Sequence, residues 1–359
     1  LSFPNCFIDS FSHYSTNDLY GLGNGQKWTG IGNNSATTNT FISLGTGLFG
    51  NSLRVLTQGN AYLCVFKTLG NLATWVIGFR WRTSGTGIST NIFALSDGAF
   101  STVQNCILLN TDNTLSLVRS TTTAVTGGKS TNTIVANTWY YIEMKCTIAS
   151  SIGANTWQLN VNGTNWVNVT TGQNSQQTGN ATANLVVLGE VGFSNTSVPF
   201  FDYCDFYCDG GGAVNGGAFW GDTKIECHWP IATGTYTAWT PVNGLGVGCI
   251  NDETPSGDIN YLSDNTTNDK STFLFQPLGS TPASIMCVQT VYDIRKNDSG
   301  TRQVADYCRS NGTDAVGTTV NPGNSYVMYT NVLNQDPHTS AAWTASNLNA
   351  AEFGVEEIS

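Results

Sequence analysis

Charge is what this sequence has least of: only 11% of its 359 residues are Asp, Glu, Lys or Arg. Long amphipathic helices need charged outer faces and good helix formers, so this shortage excludes a helical bundle and leaves a chain built almost wholly from strands. Positive charge is the scarcer sign, with 14 Lys and Arg against 24 Asp and Glu, a net charge of -10 and a pI near 4.6. Tracking along DNA or lying on an anionic bilayer takes basic patches, so neither nucleic acid nor a membrane surface is expected as a partner. No apolar run reaches the roughly 18–20 residues of a membrane span. No signal-peptide pattern is read at the start, although the first residue is Leu1 and not Met, which leaves processing open. Histidine is limited to His13, His228 and His338, and no Cys-x-x-Cys pair occurs, so neither a zinc site nor a Cys-His catalytic pair is expected. No cofactor or metal is called for.

What is present is alternation. Residues 137–163 contain two strand patterns joined by a loop. In the first, Ile142, Met144, Cys146 and Ile148 point one way and Glu143, Lys145 and Thr147 the other. In the second, Trp157, Leu159 and Val161 alternate with Gln158, Asn160 and Asn162, and Asn162-Gly163 supplies a tight hairpin turn. A sandwich with Ile142, Met144, Trp157, Leu159, Ile77 and Phe79 in its core follows. Upstream, residues 74–82 put Trp75, Ile77, Phe79 and Trp81 on one face and Arg80 and Arg82 on the other. Further strands are read at 7–11, 53–55, 61–66, 91–95, 107–109, 115–118, 166–169, 185–188 and 201–209. A chain of this length exceeds what one core usually serves, so two domains of roughly 100–250 residues are expected. The boundary is placed near Pro230 to Gly234, giving a sandwich over 1–232 and a smaller β-domain over 233–359, where residues 284–295 and 301–309 read as a hairpin turning near Asn297-Asp298-Ser299-Gly300. Glycines 210–212, 216 and 217 lack a following Gly-Lys-Ser/Thr and helix, so they are read as a loop leaving the sheet, not a phosphate cradle.

Ten cysteines are many for a chain of this size. Two readings stay open: small buried apolar residues, or disulfides suited to an oxidising exterior. The best candidate bridge is Cys287 with Cys308, which the expected hairpin leaves almost opposite one another.

The order of motifs, Leu-Arg-Val, then Trp-x-Ile-x-Phe-x-Trp, then Asn-Thr-Trp-Tyr-Tyr-Ile-Glu, then Val-Asn-Gly, then Tyr-x-Asp-Phe-Tyr, resembles the concanavalin A-like (laminin G-like) jelly roll. Its continuation, through Gly221 to Glu226, Trp239-Thr240-Pro241, Asn251 to Pro255, Gly257 to Tyr261, Asp298 to Arg302, Ala342-Trp343-Thr344 and Asn349 to Val355, resembles bacteriophage virion structural proteins that carry such a domain before a C-terminal β-domain. The resemblance implies a virion component, in the capsid decoration or in a tail or fibre, contacting other virion proteins or host surface glycans, and a homo-oligomer with a trimer favoured. A free carbohydrate-binding lectin and a polysaccharide-cleaving enzyme are the alternatives.

Retaining glycosidases need two carboxyls about 5–5.5 Å apart, which on a strand means residues two apart on one face. No Glu-x-Asp-x-Glu run exists, and spacings of three and four put Asp202 and Asp205 on opposite faces, so the chain is expected not to be an enzyme and no catalytic residue is assigned. Candidate sugar contacts are Trp166, just past the Asn162-Gly163 turn, and Asp205 and Asp209, whose oxygens could converge with loop groups.

Overall fold

A computed structural model describes residues 3–14, 27–33, 42–56, 62–193, 199–252 and 256–359. The chain forms two compact units, one of Asn5–Asn24 with Trp28–Ile225, the other of Glu226–Ser359 with Leu1–Pro4 and Gly25–Lys27. The first holds β1 (Cys6–Asp9), β2 (Gly30–Asn33), β3 (Ile42–Thr46), β4 (Asn51–Leu56), β5 (Tyr62–Leu72), β6 (Thr74–Thr83), β7 (Thr90–Ser96), β8 (Val103–Leu109), β9 (Thr114–Arg119), β10 (Thr123–Thr133), β11 (Tyr140–Thr147), β12 (Trp157–Val161), β13 (Thr164–Asn168), β14 (Ala183–Val191) and β15 (Phe200–Gly210). One antiparallel sheet runs β13-β12-β11-β6-β15-β4-β3 with β1 also on β15, and the other runs β10-β9-β8-β7-β14-β5-β2.

Their inner faces share one core, as the alternation requires. Ile77, Phe79, Ile142, Met144, Trp157 and Leu159 are all 0% exposed. The β11–β12 hairpin pairs Met144 with Leu159, and β11 pairs on its other side with β6, setting Met144 opposite Ile77. Asn162 and Gly163 make the expected turn with φ of 49° and 75°. Across the sandwich, the Phe79 and Phe93 rings stack 5.8 Å apart and the Tyr203 hydroxyl donates to the Ile92 carbonyl at 2.8 Å. The outer face of the seven-stranded sheet is also apolar: Cys64, Cys106, Ala94, Val118 and Val187 are buried there beside Phe66 and Phe100. The sandwich expectation holds.

The second unit holds β16 (Pro230–Thr237), β17 (Thr240–Val242), β18 (Tyr261–Ser263), β19 (Lys270–Phe275), β20 (Val288–Ile294), β21 (Val304–Ser310), β22 (Thr313–Val320), β23 (Val327–Leu333), the short helix α1 (Ala345–Ala350) and β24 (Glu352–Glu357). Its main sheet runs β16-β19-β24-β21-β22, with β17-β18 and β20-β23 as separate pairs. Pro230 to Gly234, where the domain boundary was expected, opens β16, so the units part a few residues earlier.

The expected hairpin across Asn297 to Gly300 does not form. β20 pairs with β23, whereas β21 turns back on β22 through Asn311-Gly312, with φ of 44° and 81°. The Cys287–Cys308 bridge fails with it: Cys308 lies opposite Ala315 and Phe353, and both thiols are free. Eight of the ten cysteines are buried, as small apolar residues would be. Among the described residues no helix is long and apolar enough to cross a membrane.

Candidate functional site

The outer face of the eight-stranded sheet gathers a cluster of charged side chains. Alternation on β6 turns Arg80 and Arg82 outward, on β11 Tyr141 and Glu143, and on β4 Arg54, while their neighbours fill the core. β15 crosses the middle of this face and departs from alternation. Its register to β6 shifts between Cys204 and Tyr207, and Asp205 has a φ of 51°. This bulge corrects the expectation that Asp202 and Asp205 face opposite ways, since both meet arginines of the same sheet face.

One half of the face is roofed. After β15, residues 211–225 fold back over the sheet as a strap. Asp209, completely buried, accepts from the Val214 and Asn215 amides and so fixes the glycine-rich start of the strap. Trp220 stacks on Tyr207 with centroids 4.1 Å apart and an interplanar angle of 3°. Glu143 accepts from the Tyr207 hydroxyl at 2.6 Å and from the Gly221 amide at 2.9 Å, and burial raises its pKa. Arg80 donates to Asp205 at 2.9 Å and to Asp222 at 2.5 Å, and Asp205 also accepts from the Ile225 amide at 2.9 Å. A carboxyl with a raised pKa, a phenol and a guanidinium gathered on one face are groups that can exchange protons and hold charge. Here they are spent on holding the strap.

The other half is open. Arg54 and Arg82 converge on Asp202, which is fully buried, while their own side chains are 27% and 22% exposed. Arg54 donates through Nε at 2.8 Å and Nη2 at 3.0 Å, and Arg82 through Nε at 3.2 Å and Nη2 at 2.5 Å. Aromatic rings fix both guanidinium planes: Phe200 lies 3.7 Å from Arg54 Cζ, and Trp139 lies 4.8 Å from Arg82 Cζ. Phe49, 48% exposed at the β3–β4 turn, lies 5.0 Å from Arg80 Cζ and 5.3 Å from Lys224 Nζ.

The residues singled out from sequence fall elsewhere. Asp205 and Asp209 are 2% and 0% exposed and serve the strap and Arg80, so neither offers a free oxygen to a sugar. Trp166 stands edge-on to Tyr140 at 6.3 Å and packs against the main core, at its rim and not on the charged face. The residues that do line the open half, Arg54, Arg82, Phe200 and Trp139, were visible in part: the outward direction of Arg82 follows from the β6 alternation. Their convergence depends on the order β6-β15-β4, which places Asp202 between Arg82 and Arg54 and which no local pattern encodes. Among the described residues no group of three or more His, Cys, Asp or Glu is placed to hold a metal.

No family model matches the chain, and no curated protein matches it. Among solved structures it is similar to a sialidase (12% identity, TM-score 0.41, covering 58% of this chain and 19% of that one). It is also similar to the alginate lyase Aly36B (14% identity, TM-score 0.41, 57% and 97%) and to the cellulose induced protein Cip1 (14% identity, TM-score 0.40, 56% and 96%). The chain thus spans about a fifth of the sialidase's length. Two of these three are enzymes by name, and the expectation that the chain is not an enzyme is not kept. That expectation rested on a missing carboxyl pair about 5–5.5 Å apart, which is the spacing of retaining glycoside hydrolysis only; inverting enzymes set their two carboxyls about 6.5–9.5 Å apart.

Proposed function

We propose that the protein binds carbohydrate, for attachment or for processing, on the open half of the outer face of the eight-stranded sheet. The observation that carries this is the shelf formed by Arg54, Arg82, Phe200 and Trp139. It is a partly exposed surface of aromatic rings and of hydrogen-bond donors that no described residue fills, on the broad face of a sandwich. Sugar recognition needs these two elements, an apolar surface for the ring C–H groups and fixed donors for its oxygens. The setting proposed with it is the surface of a bacteriophage particle, which the order of sequence motifs supports.

The test is titration of the full chain with soluble oligosaccharides, followed by chromatography of the saccharide to see whether it is shortened. Binding weakened about tenfold or more by Trp139→Ala, with the thermal midpoint kept, is expected for a stacking contact of roughly 1–2 kcal/mol. Absence of binding to every saccharide at millimolar concentration would sink the reading. For the setting, antibody against the chain should decorate intact particles in electron micrographs, and particles left bare would remove that part.

A further inference from the structure

The balance of charge on the open half narrows the ligand. Among the described residues Asp202 is the one carboxylate that meets both Arg54 and Arg82, and it receives four hydrogen bonds from them. Two guanidiniums on one carboxylate leave one positive charge uncompensated. On the neighbouring half, Arg80 is met by two carboxylates, Asp205 and Asp222. Asp202 lies fully buried beneath, and the guanidiniums are partly exposed above it, so the surplus charge is at the surface. Among the described residues, Nη1 of Arg54 and Nη1 of Arg82 donate to no protein acceptor, and the further bond from this pair is a long one of 3.4 Å from Arg82 Nη2 to the Thr46 carbonyl. In a chain of net charge -10, a rigid surplus cation with free donors is unusual.

We propose that Arg54 and Arg82 bind the carboxylate of an acidic sugar, a uronic or sialic acid residue of a polysaccharide. The inference rests on the carbohydrate reading above and names its substrate class. A planar guanidinium presents paired donors that match the two oxygens of a carboxylate, and charge-assisted bonds of this kind are about twice as strong as neutral ones. Asp202 from below and the rings of Phe200 and Trp139 from beside hold both planes before the ligand arrives. Little side-chain freedom is therefore lost on binding. Gly45 makes this packing possible: a Cβ there would stand 2.8 Å from Asp202 Oδ1 and 3.1 Å from Arg54 Nε. The net charge of -10 disfavours a long polyanion laid across the whole molecule and favours local recognition of single carboxylates along a chain.

The experiment compares pairs of saccharides that differ in charge and share their rings: oligogalacturonate against its methyl ester, and sialyllactose against lactose. The full chain should bind the acidic member of at least one pair about tenfold or more tightly than the neutral member, and added salt should shrink the difference. Arg82→Gln should remove that preference while leaving the weaker neutral binding in place. Arg82→Lys, which keeps the charge and loses the fork, should retain part of it and covers the case in which Arg82→Gln fails to fold. Equal binding of the acidic and neutral members would overturn the acidic-sugar assignment and leave the carbohydrate reading standing. Binding of neither would overturn both, and a preference untouched by either Arg82 substitution would place the charged contact elsewhere.

Discussion

Gly78 shows how one absent side chain organises the strap. It lies on the outer face of β6 opposite Tyr207, and a Cβ there would overlap the Tyr207 ring. The ring therefore lies flat on bare backbone, Trp220 lies flat on the ring, and the Tyr207 hydroxyl reaches Glu143. Gly78→Ala is expected to cost about 1–3 kcal/mol, the usual penalty of overpacking a close contact, read as a fall in the denaturant midpoint. Because its effect passes through the same stack, its cost should be non-additive with that of Trp220→Ala in a double-mutant cycle. Additive costs would show that Gly78 does not act through Tyr207. Single residues also mark where sequence reading stopped. Period-2 alternation places Arg80, Arg82 and Glu143 on the outer face without any structure, but it fails at Asp205, where a non-glycine residue adopts φ of 51° and the bulge resets the face. Nothing in the triplet Cys204-Asp205-Phe206 announces that.

At the scale of elements, the β11–β12 hairpin and β6 were legible because each side chain has one of two directions and the apolar ones agree along the strand. The strap was not. Its glycines were read as an exit from the sheet, and Gly211, Gly212, Gly216, Gly217 and Gly221 do take positive φ, but the same freedom lets the chain fold back over the face it leaves. In the second unit two turn signals competed, and Asn311-Gly312 won over Asn297 to Gly300 because both of its residues adopt the left-handed region that a two-residue hairpin requires. Asp298 is used locally instead, pairing with Arg302 at 2.7 Å and accepting from the Gly300 amide at 3.1 Å. Among the described residues the strap is held by the Tyr207–Trp220 stack, the Arg80–Asp222 ion pair and a few hydrogen bonds, so it should open locally before the sheet does. Trp220→Ala removes a stack worth roughly 0.5–1.5 kcal/mol beyond its buried area, and amide exchange at Gly221 and Ile225 should accelerate about threefold to tenfold. Exchange at β6 amides should stay unchanged. Acceleration spread equally over β6 would mean that the strap and the sheet open as one.

For the whole molecule, buried carboxyls set the pH at which it is most stable. Burial pushes Asp293 up to about 6 and Glu357 up to about 7, the latter also raised by Asp264 and Asp298 against the opposing pull of Arg302. Burial likewise raises Glu143, Asp205, Asp209 and Asp306. A carboxyl whose folded pKa lies above its unfolded one binds protons more tightly when folded. Its contribution is present below the unfolded value of roughly 4 and is lost as pH rises through the folded value. The opposite group includes Asp112, lowered to about 2 by Lys129 and Thr114, and Asp258 and Asp298, lowered by Arg295 and Arg302. Their contribution is present above the unfolded value and is lost as acid protonates them. The two sets together predict a thermal midpoint that peaks at about pH 4 and falls toward pH 8, in place of the plateau that exposed carboxylates would give. Glu357→Gln removes one group of the first set. It should raise the midpoint at pH 8 and change it little at pH 4, flattening the decline in between. A wild-type midpoint that climbs steadily from pH 5 to pH 8 would show that these carboxyls are ionised at no cost in the folded chain, and that water or a partner reaches Glu357 and Asp293.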